Sequence, residues 1–540
     1  MTRCRFLLTG ALTAGAVFVP TTSALASTNL ANQAAPACTD SWRAPVSGGW
    51  SDAADWTNGI PGEDGPVAAC ITVAGTYTVT LAPWSIGTAD PNHQFAAITS
   101  LTLGAAGGPG KQTLVVLGQS SPNDSNEQVN TTGLSTTRPS LITAHGRLVL
   151  SSTDGGEKAK GVPYGGDAVV SGGPFTNHGA VTMMVQDANN KAADYTQFYS
   201  ALTNEPKASV TDQSGLLDVN SVTNHGAWTV APGASMDLAF QTPGSGYAAG
   251  VFTNSGTIDN RGTISAQGGT WSQLAGAVAG NAVALQDGTK LVDHAGAAKF
   301  VVNSSNASLV GTVPKGQTIT VVGEVYGYQG ENYNSTTLGL GGTTVVNNGT
   351  IVLDAQGSKT GGGAADINDG TLRNNGAILA EVHGSAWTVN WQIGLTNNRS
   401  GKVTVTGGML NESGGGSDAN AGTVTVAPGA TWLLQQGSAF TNQAGGTIVT
   451  QIAGLTRFGQ FQLTSPCCNG AGAINAGGAL VPVMVGGYRP PANKEYPIFQ
   501  LLGGKFTGTF SRVRGGFAAD YKHETTTPAF VGIIYGKTAS

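Results

Sequence analysis

Apolar and polar residues alternate in short runs along most of the chain. Gly349-Thr-Ile-Val-Leu and Lys402-Val-Thr-Val-Thr are typical, rich in β-branched residues and bounded by turn formers. Period-two alternation over so few residues predicts half-buried strands, and the Gly, Asn and Pro between them predict tight turns. No long stretch with helical periodicity follows the N-terminal apolar segment. The turns themselves recur. Phe-Thr-Asn-His-Gly-Ala-Val runs from Phe175 to Val181, and Val-Thr-Asn-His-Gly-Ala-Trp from Val222 to Trp228. Variants begin at Phe252, Val345, Leu372 and Phe440. A fixed turn between strands, repeated down a chain, predicts a solenoid.

The spacing supports stacked coils. The lead residues are Asn177, Asn224, Asn254, Asn347, Asn374, Asn397 and Asn442, at successive gaps of 47, 30, 93, 27, 23 and 45. Most gaps approximate one, two or four multiples of roughly 23 residues, and the gap of 30 requires an insertion. A second phrase, Val-Ala-Pro-Gly-Ala, occurs at Val230–Ala234 and Val426–Ala430. The first copy is followed by a Gly/Pro-rich stretch around Pro243 to Gly250, which accounts for the insertion. Stacked coils would pair each strand in parallel with its copy about 4.8 Å away. Inward Val, Ile, Leu and Phe would form one core, and the Asn residues a side-chain ladder. Residues 95–460 would supply some 15 or 16 coils, about 75 Å of stack. The expected fold is therefore all-β, a parallel β-helix.

The ends differ from the middle. Arg3 and Arg5, the apolar run Phe6–Val19 and Ala24-Leu25-Ala26 read as a secretory signal over 1–26, cleaved before Ser27. That apolar run is short for a bilayer span, and no later stretch is apolar enough for one. Residues 27–94, with Trp42, Trp50 and Trp56, read as an N-terminal cap, and 461–540 as a β-rich C-terminal cap, since solenoid ends need covering. Loss of Cys4 leaves four cysteines in an exported chain, which suggests disulfides. Cys38 with Cys70 is the expected pair, worth roughly 3–4 kcal/mol in the chain-entropy model. The adjacent Cys467 and Cys468 leave open a vicinal disulfide or two thiols.

Composition narrows the partners. Charged residues are 11% of the chain and Gly numbers 81 of 540. The formal charge is −5, or −7 without Arg3 and Arg5. This argues against nucleic acid and anionic membranes as partners. A disordered chain would carry more charge and fewer β-branched residues.

The run Gly49-Trp-Ser-Asp-Ala-Ala-Asp-Trp-Thr-Asn-Gly-Ile-Pro61 resembles the G-x-W-x₅-W-x₂-G-x-P opening of secreted bacterial β-helix repeat proteins, which include autotransporter passengers and adhesin-like proteins. Gly75–Leu81 is similar to the strand that follows it, and Tyr496–Phe499 through Gly508–Phe510 to their closing segment. The resemblance implies the architecture and a surface or adhesin-like role. The chain departs from the autotransporter pattern, because the residues after the repeats are too few for a barrel of 8 or more strands.

Catalytic motifs are absent: the sequence has no H-E-x-x-H, G-x-S-x-G or complete P-loop. Gly108-Pro-Gly-Lys-Gln112 is read as a turn. Asp354, Asp366 and Asp369 are the nearest approach to a carboxylate group, but no acidic pair is seen to recur at coil spacing with a basic partner. A calcium site at Asp366/Asp369 is a minor alternative. His178 and His225 share a turn position two coils apart, too far for one ion. No catalytic residue, metal ligand or cofactor is expected. The best binding group is Tyr326, Tyr328 and Tyr333 with Glu331 and Asn332 beside them, since rings stack on sugar faces while polar groups hold hydroxyls. Trp387 and Trp391, four residues apart, form a second pair on one strand face. The expected function is a secreted, non-catalytic surface, matrix or adhesion solenoid that binds extracellular polysaccharide or cell-surface glycan. The alternative is a β-helix polysaccharide lyase or glycoside hydrolase.

Overall fold

A computed structural model describes residues 37–83, 93–119, 131–153, 166–186, 195–239, 250–303, 305–323, 335–356, 363–383, 388–414, 416–465, 470–524 and 528–536. The signal segment, Cys467 and Cys468, and the tyrosine group lie outside these residues. Among the described residues the chain is almost entirely strand. The one helical element is a single 3₁₀ turn at Ala53–Asp55, and no helix is long and apolar enough to cross a membrane.

The strands form a parallel β-solenoid. A representative coil places Ser221–Asn224 on a first face, Ala227–Val230 on a second and Ala234–Ala239 on a third. The next coil repeats the order with Val251–Asn254, Thr257–Asn260 and Thr263–Gln267. Each strand pairs in parallel with its counterpart one coil on, as Val222↔Phe252, Trp228↔Ile258 and Met236↔Ile264 do. Alternation along each strand buries every second side chain, so successive coils stack their apolar residues into one continuous core. Aromatic rings stack within it, with Phe252 and Trp271 at 4.4 Å and 15°.

The third face runs in parallel steps from His93–Ile98 to Arg512–Val513. The second face ends at Ala277–Gly280. Beyond it the first-face strands lengthen, to Ser335–Asn347, Ala364–Asn374 and Thr388–Asn397. Register shifts at Gly339/Thr343 and Asn368/Thr371 bend the first two of these long strands. Thr388–Asn397 then feeds two separate rows. Its first half pairs with Met409–Glu412, and Thr396 and Asn397 pair with Ala419 and Asn420. The coil thus regains three strands.

The Asn residues do form ladders. Nδ2 of Asn177 donates to Oδ1 of Asn204, and the chain continues through Asn224 and Asn254 to Gln273, at 2.8 to 3.3 Å. A second run links Asn347, Asn374, Asn397, Asn420 and Asn442 at 2.7 to 2.8 Å. All are buried. Sequence separations between rungs are 27, 20, 30 and 19 in the first run and 27, 23, 23 and 22 in the second. Asn204 and Asn420 fill the two double gaps that the turn phrase left: Asn204 lacks the glycine two residues on, and Asn420 has it but is preceded by Asp418-Ala419 where the phrase carries an apolar residue two positions before the Asn. Glycine follows two residues after most rungs for a steric reason. A Cβ at Gly256 would lie 2.2 Å from the Gly226 carbonyl of the neighbouring coil, and one at Gly376 would lie 2.1 Å from that of Gly349.

The Trp/Cys segment joins the stack instead of standing apart from it. Asp40–Ser41 pairs in parallel with Ala68–Ile71, and Gly48–Gly49 with Tyr77–Leu81. Trp42, Trp50 and Trp56 pack edge to face with centroids 5.1 and 4.9 Å apart, all buried. Their indole N–H groups donate to the carbonyls of Val46, Pro61 and Trp50. Cys38 is bonded to Cys70, which anchors the start of the chain to the second coil. At the other end Ala529–Tyr535 lies antiparallel to both Glu495–Leu502 and Phe517–Asp520. That hairpin breaks the parallel repeat.

Candidate functional site

The expected glycan-binding residues divide between two locations. Tyr326, Tyr328, Glu331, Asn332, Tyr333 and Trp387 lie outside the described residues. Trp391 is described, and it faces inward. Its 1% exposure places it in the core between Ile367 and Glu412, the residues paired with it on adjacent coils. Alternation fixes this: Val389, Trp391, Ile393 and Leu395 all occupy the buried phase of the Thr388–Asn397 strand. A buried indole contributes packing and offers no ring to a ligand.

Acidic chemistry concentrates in two parts of the stack. One is the outward side of the third face. Asp218 and Asp237 are direct register partners on adjacent coils. Tyr199 donates its hydroxyl to Asp218 at 3.0 Å, and Gln267 donates its amide to Asp237 at 3.0 Å. Partial burial, with the charge of Asp218 added, pushes the Asp237 carboxyl up to about 6. The polar row continues through Ser265, Gln286 and Asn303, linked at 3.1 and 3.0 Å. Further along the same face Asp354 pairs in register with Glu381, and His383 stands two residues on. The sequence reading found no acidic pair at coil spacing with a basic partner; the registers of Asp354, Glu381 and His383 correct it. The signal was present, since Asp354 follows Asn347 by the same seven residues that separate Glu381 from Asn374. Asp366 belongs elsewhere, on the first face, where Ser335 and Asn390 donate to its carboxylate. Asp369 sits at the adjoining bulge with φ 57. A second mixed cluster, Glu495, Asp520 and His523, lies on the C-terminal hairpin, with His523 stacked on Phe530.

The other acidic location is interior. Asp212 is fully buried, its carboxyl lacks a hydrogen-bond partner, and burial pushes it up to about 8. Asp293, held by Gln317, is pushed up to about 7 by burial against the opposing effect of that bond. Glu412 and Asp418 are buried together and hydrogen-bonded to each other. The Trp432 indole donates to Glu412, and the Leu395 N–H to Asp418, each at 2.8 Å. Burial raises both carboxyls, and the charge of Glu412 raises that of Asp418 further. None of these four groups is exposed enough to meet a polymer substrate.

Polar rows, mostly uncharged, run along the first face. Thr176, Thr203, Thr223, Thr253 and Ser272 stand in register along the first face. Asp366, Asn390, Asn411 and Gln435 form a hydrogen-bonded row further on. No protein-family model matches the chain, and no curated protein matches it.

Proposed function

We propose that this chain is an exported, non-catalytic surface, matrix or adhesion solenoid that holds glycans on its uncharged flank. The in-register row Thr176, Thr203, Thr223, Thr253 and Ser272 carries the reading. It repeats hydroxyl groups at about the 4.8 Å strand spacing on a rigid surface, which suits a hydroxyl-rich polymer. The low charge of the chain and the secretory signal support the extracellular setting. So does the adhesin-like wording of the Gly49–Pro61 opening. N-terminal sequencing of exported material should begin at or within a few residues of Ser27; intact Met1 on exported protein would end the export reading. A glycan array read beside a reducing-end release assay tests binding against cleavage. If the Tyr326 and Tyr328 rings point outward, replacing both by Ala should weaken glycan binding while Tm stays nearly constant, since exposed changes cost under ~0.5 kcal/mol. A large loss of Tm would mark those rings as structural.

One observation favours the enzyme reading. Asp218 and Asp237 are paired carboxyls with unequal surroundings, and Asp237 is raised toward the range useful to a general acid. Release of reducing ends from a polysaccharide, abolished in Asp237→Asn, would make this chain a polysaccharide lyase or glycoside hydrolase.

A further inference from the structure

We propose that Asp354, Glu381 and His383 form a binding site for a first-row divalent cation of the zinc class, which pins two successive coils together. The three side chains rise from two neighbouring strands of the third face, Thr350–Gln356 and Ala377–His383. Asp354 is the direct partner of Glu381, and Gln356 of His383. One ligand atom from each of the three residues lies within 4.8 Å of the others. His383 Nε2 is 3.3 Å from Asp354 Oδ1 and 3.9 Å from Glu381 Oε2.

Three features distinguish this group from a casual surface cluster. Gln356 donates to Asp354 Oδ2 at 2.8 Å, which fixes the carboxylate and turns Oδ1 toward His383. Holding a ligand by its far atom is the usual way a protein orients a metal-binding carboxylate. Asp354 Oδ1 is shut off from solvent and accepts no hydrogen bond, although His383 Nε2 is close by; the two atoms face each other without hydrogen-bonding geometry. And two carboxylates placed directly opposite on adjacent strands repel, so the pairing destabilises the stack unless a cation offsets it. A bound divalent ion does it at neutral pH.

The donor set selects the ion. One imidazole nitrogen and two carboxylate oxygens suit zinc and its neighbours, which accept mixed N/O ligands in four-coordinate geometry with one position left for water. Calcium needs six to eight oxygens, which these side chains cannot supply. The cluster at Glu495, Asp520 and His523 has a similar composition. It lies on the terminal hairpin, on elements other than Thr350–Gln356 and Ala377–His383, so it serves as the internal control.

The test is titration of the full chain with Zn²⁺ alone by calorimetry, with Co²⁺ as a spectroscopic stand-in. The wild type should take up Zn²⁺ saturably at sub-millimolar concentration and gain Tm on doing so. Cobalt should give a visible d–d band of low-symmetry type. His383→Gln and Glu381→Gln should each weaken uptake about tenfold or more and remove the Tm gain. His523→Gln should leave both unchanged. His383 is 63% exposed, so its substitution leaves folding intact and the comparison readable. Absence of saturable uptake by the wild type would reduce the cluster to an ion pair and overturn the site. So would uptake that survives in both His383→Gln and Glu381→Gln, or that disappears in His523→Gln instead.

Discussion

Each interior Asn meets a demand that its position creates. A turn that brings backbones of successive coils within touching distance leaves carbonyls and N–H groups facing inward, and a buried amide can satisfy several at once. Asn374 shows this: its Nδ2 donates to Asn397 and to the Lys402 carbonyl, while its Oδ1 accepts from Asn347 and from the Gly376 N–H. Asn374→Ala would orphan groups on both neighbouring coils. We expect a loss of about 2–3 kcal/mol in urea unfolding, more than a half-buried Asn such as Asn411 would cost. Trp391→Ala should also cost about 3–5 kcal/mol, as emptied core positions do, and leave glycan binding unchanged. The interior carboxyls are a different case. Asp212 sits where Val230 stands on the next coil, and it gains no bond in exchange. Its presence has no structural account.

At the scale of strands and coils, most of the architecture was readable, and the reason is periodicity. A strand's inward residues must match those above and below, so the apolar phase and the Asn-x-Gly turn repeat together. What the turn wording missed was Asn204, whose turn reads Asn-Glu-Pro, and Asn420, whose Asn-Ala-Gly turn follows Asp418 in place of the usual apolar residue. Both are full rungs. The four-coil gap between Asn254 and Asn347 holds Gln273 as a further rung and Asp293 as its register partner. The candidate site was less legible for a geometric reason. Register brings Asp218 beside Asp237 and Asp354 beside Glu381, and register depends on insertions of unequal length between coils. Counting from the nearest Asn rung recovers the second pair, because no insertion intervenes there. Trp391 was misplaced because its ring was judged with Trp387, while the phase of its own strand, Val-Asn-Trp-Gln-Ile-Gly-Leu, points it inward. Gly376→Ala tests the stacking argument at this scale: the clash with the Gly349 carbonyl should lower Tm by several degrees with no change in the strand signal of circular dichroism.

Across the whole molecule, the raised interior carboxyls act in one direction. A carboxyl that is neutral when folded and ionised when unfolded makes the unfolded state increasingly favourable as pH rises from the unfolded pKa to the folded one. For Asp212 that window runs from about 4 to about 8, and for Asp293 to about 7. Each pH unit within it costs about 1.4 kcal/mol per group. Stability should therefore be greatest in mild acid and decline toward pH 8, and Asp212→Asn should flatten the decline in a series of urea melts. A stability that rises over this range would show that these groups are ionised or solvated in the folded chain. The Asn ladders also act as a whole, because they have a direction. In each run every Nδ2 points toward the C-terminal neighbour and every Oδ1 toward the N-terminal one. The parallel strands share this polarity. One end of a bare stack would present groups matched to the other end of the next molecule. Such head-to-tail self-complementarity does not close on itself, and its natural product is a filament. The tryptophan plug and the antiparallel hairpin are then what keep the protein a discrete object. Removing the chain from Gly515 onward would uncover the Glu495–Leu502 strand and should promote fibres, visible by light scattering and negative-stain microscopy.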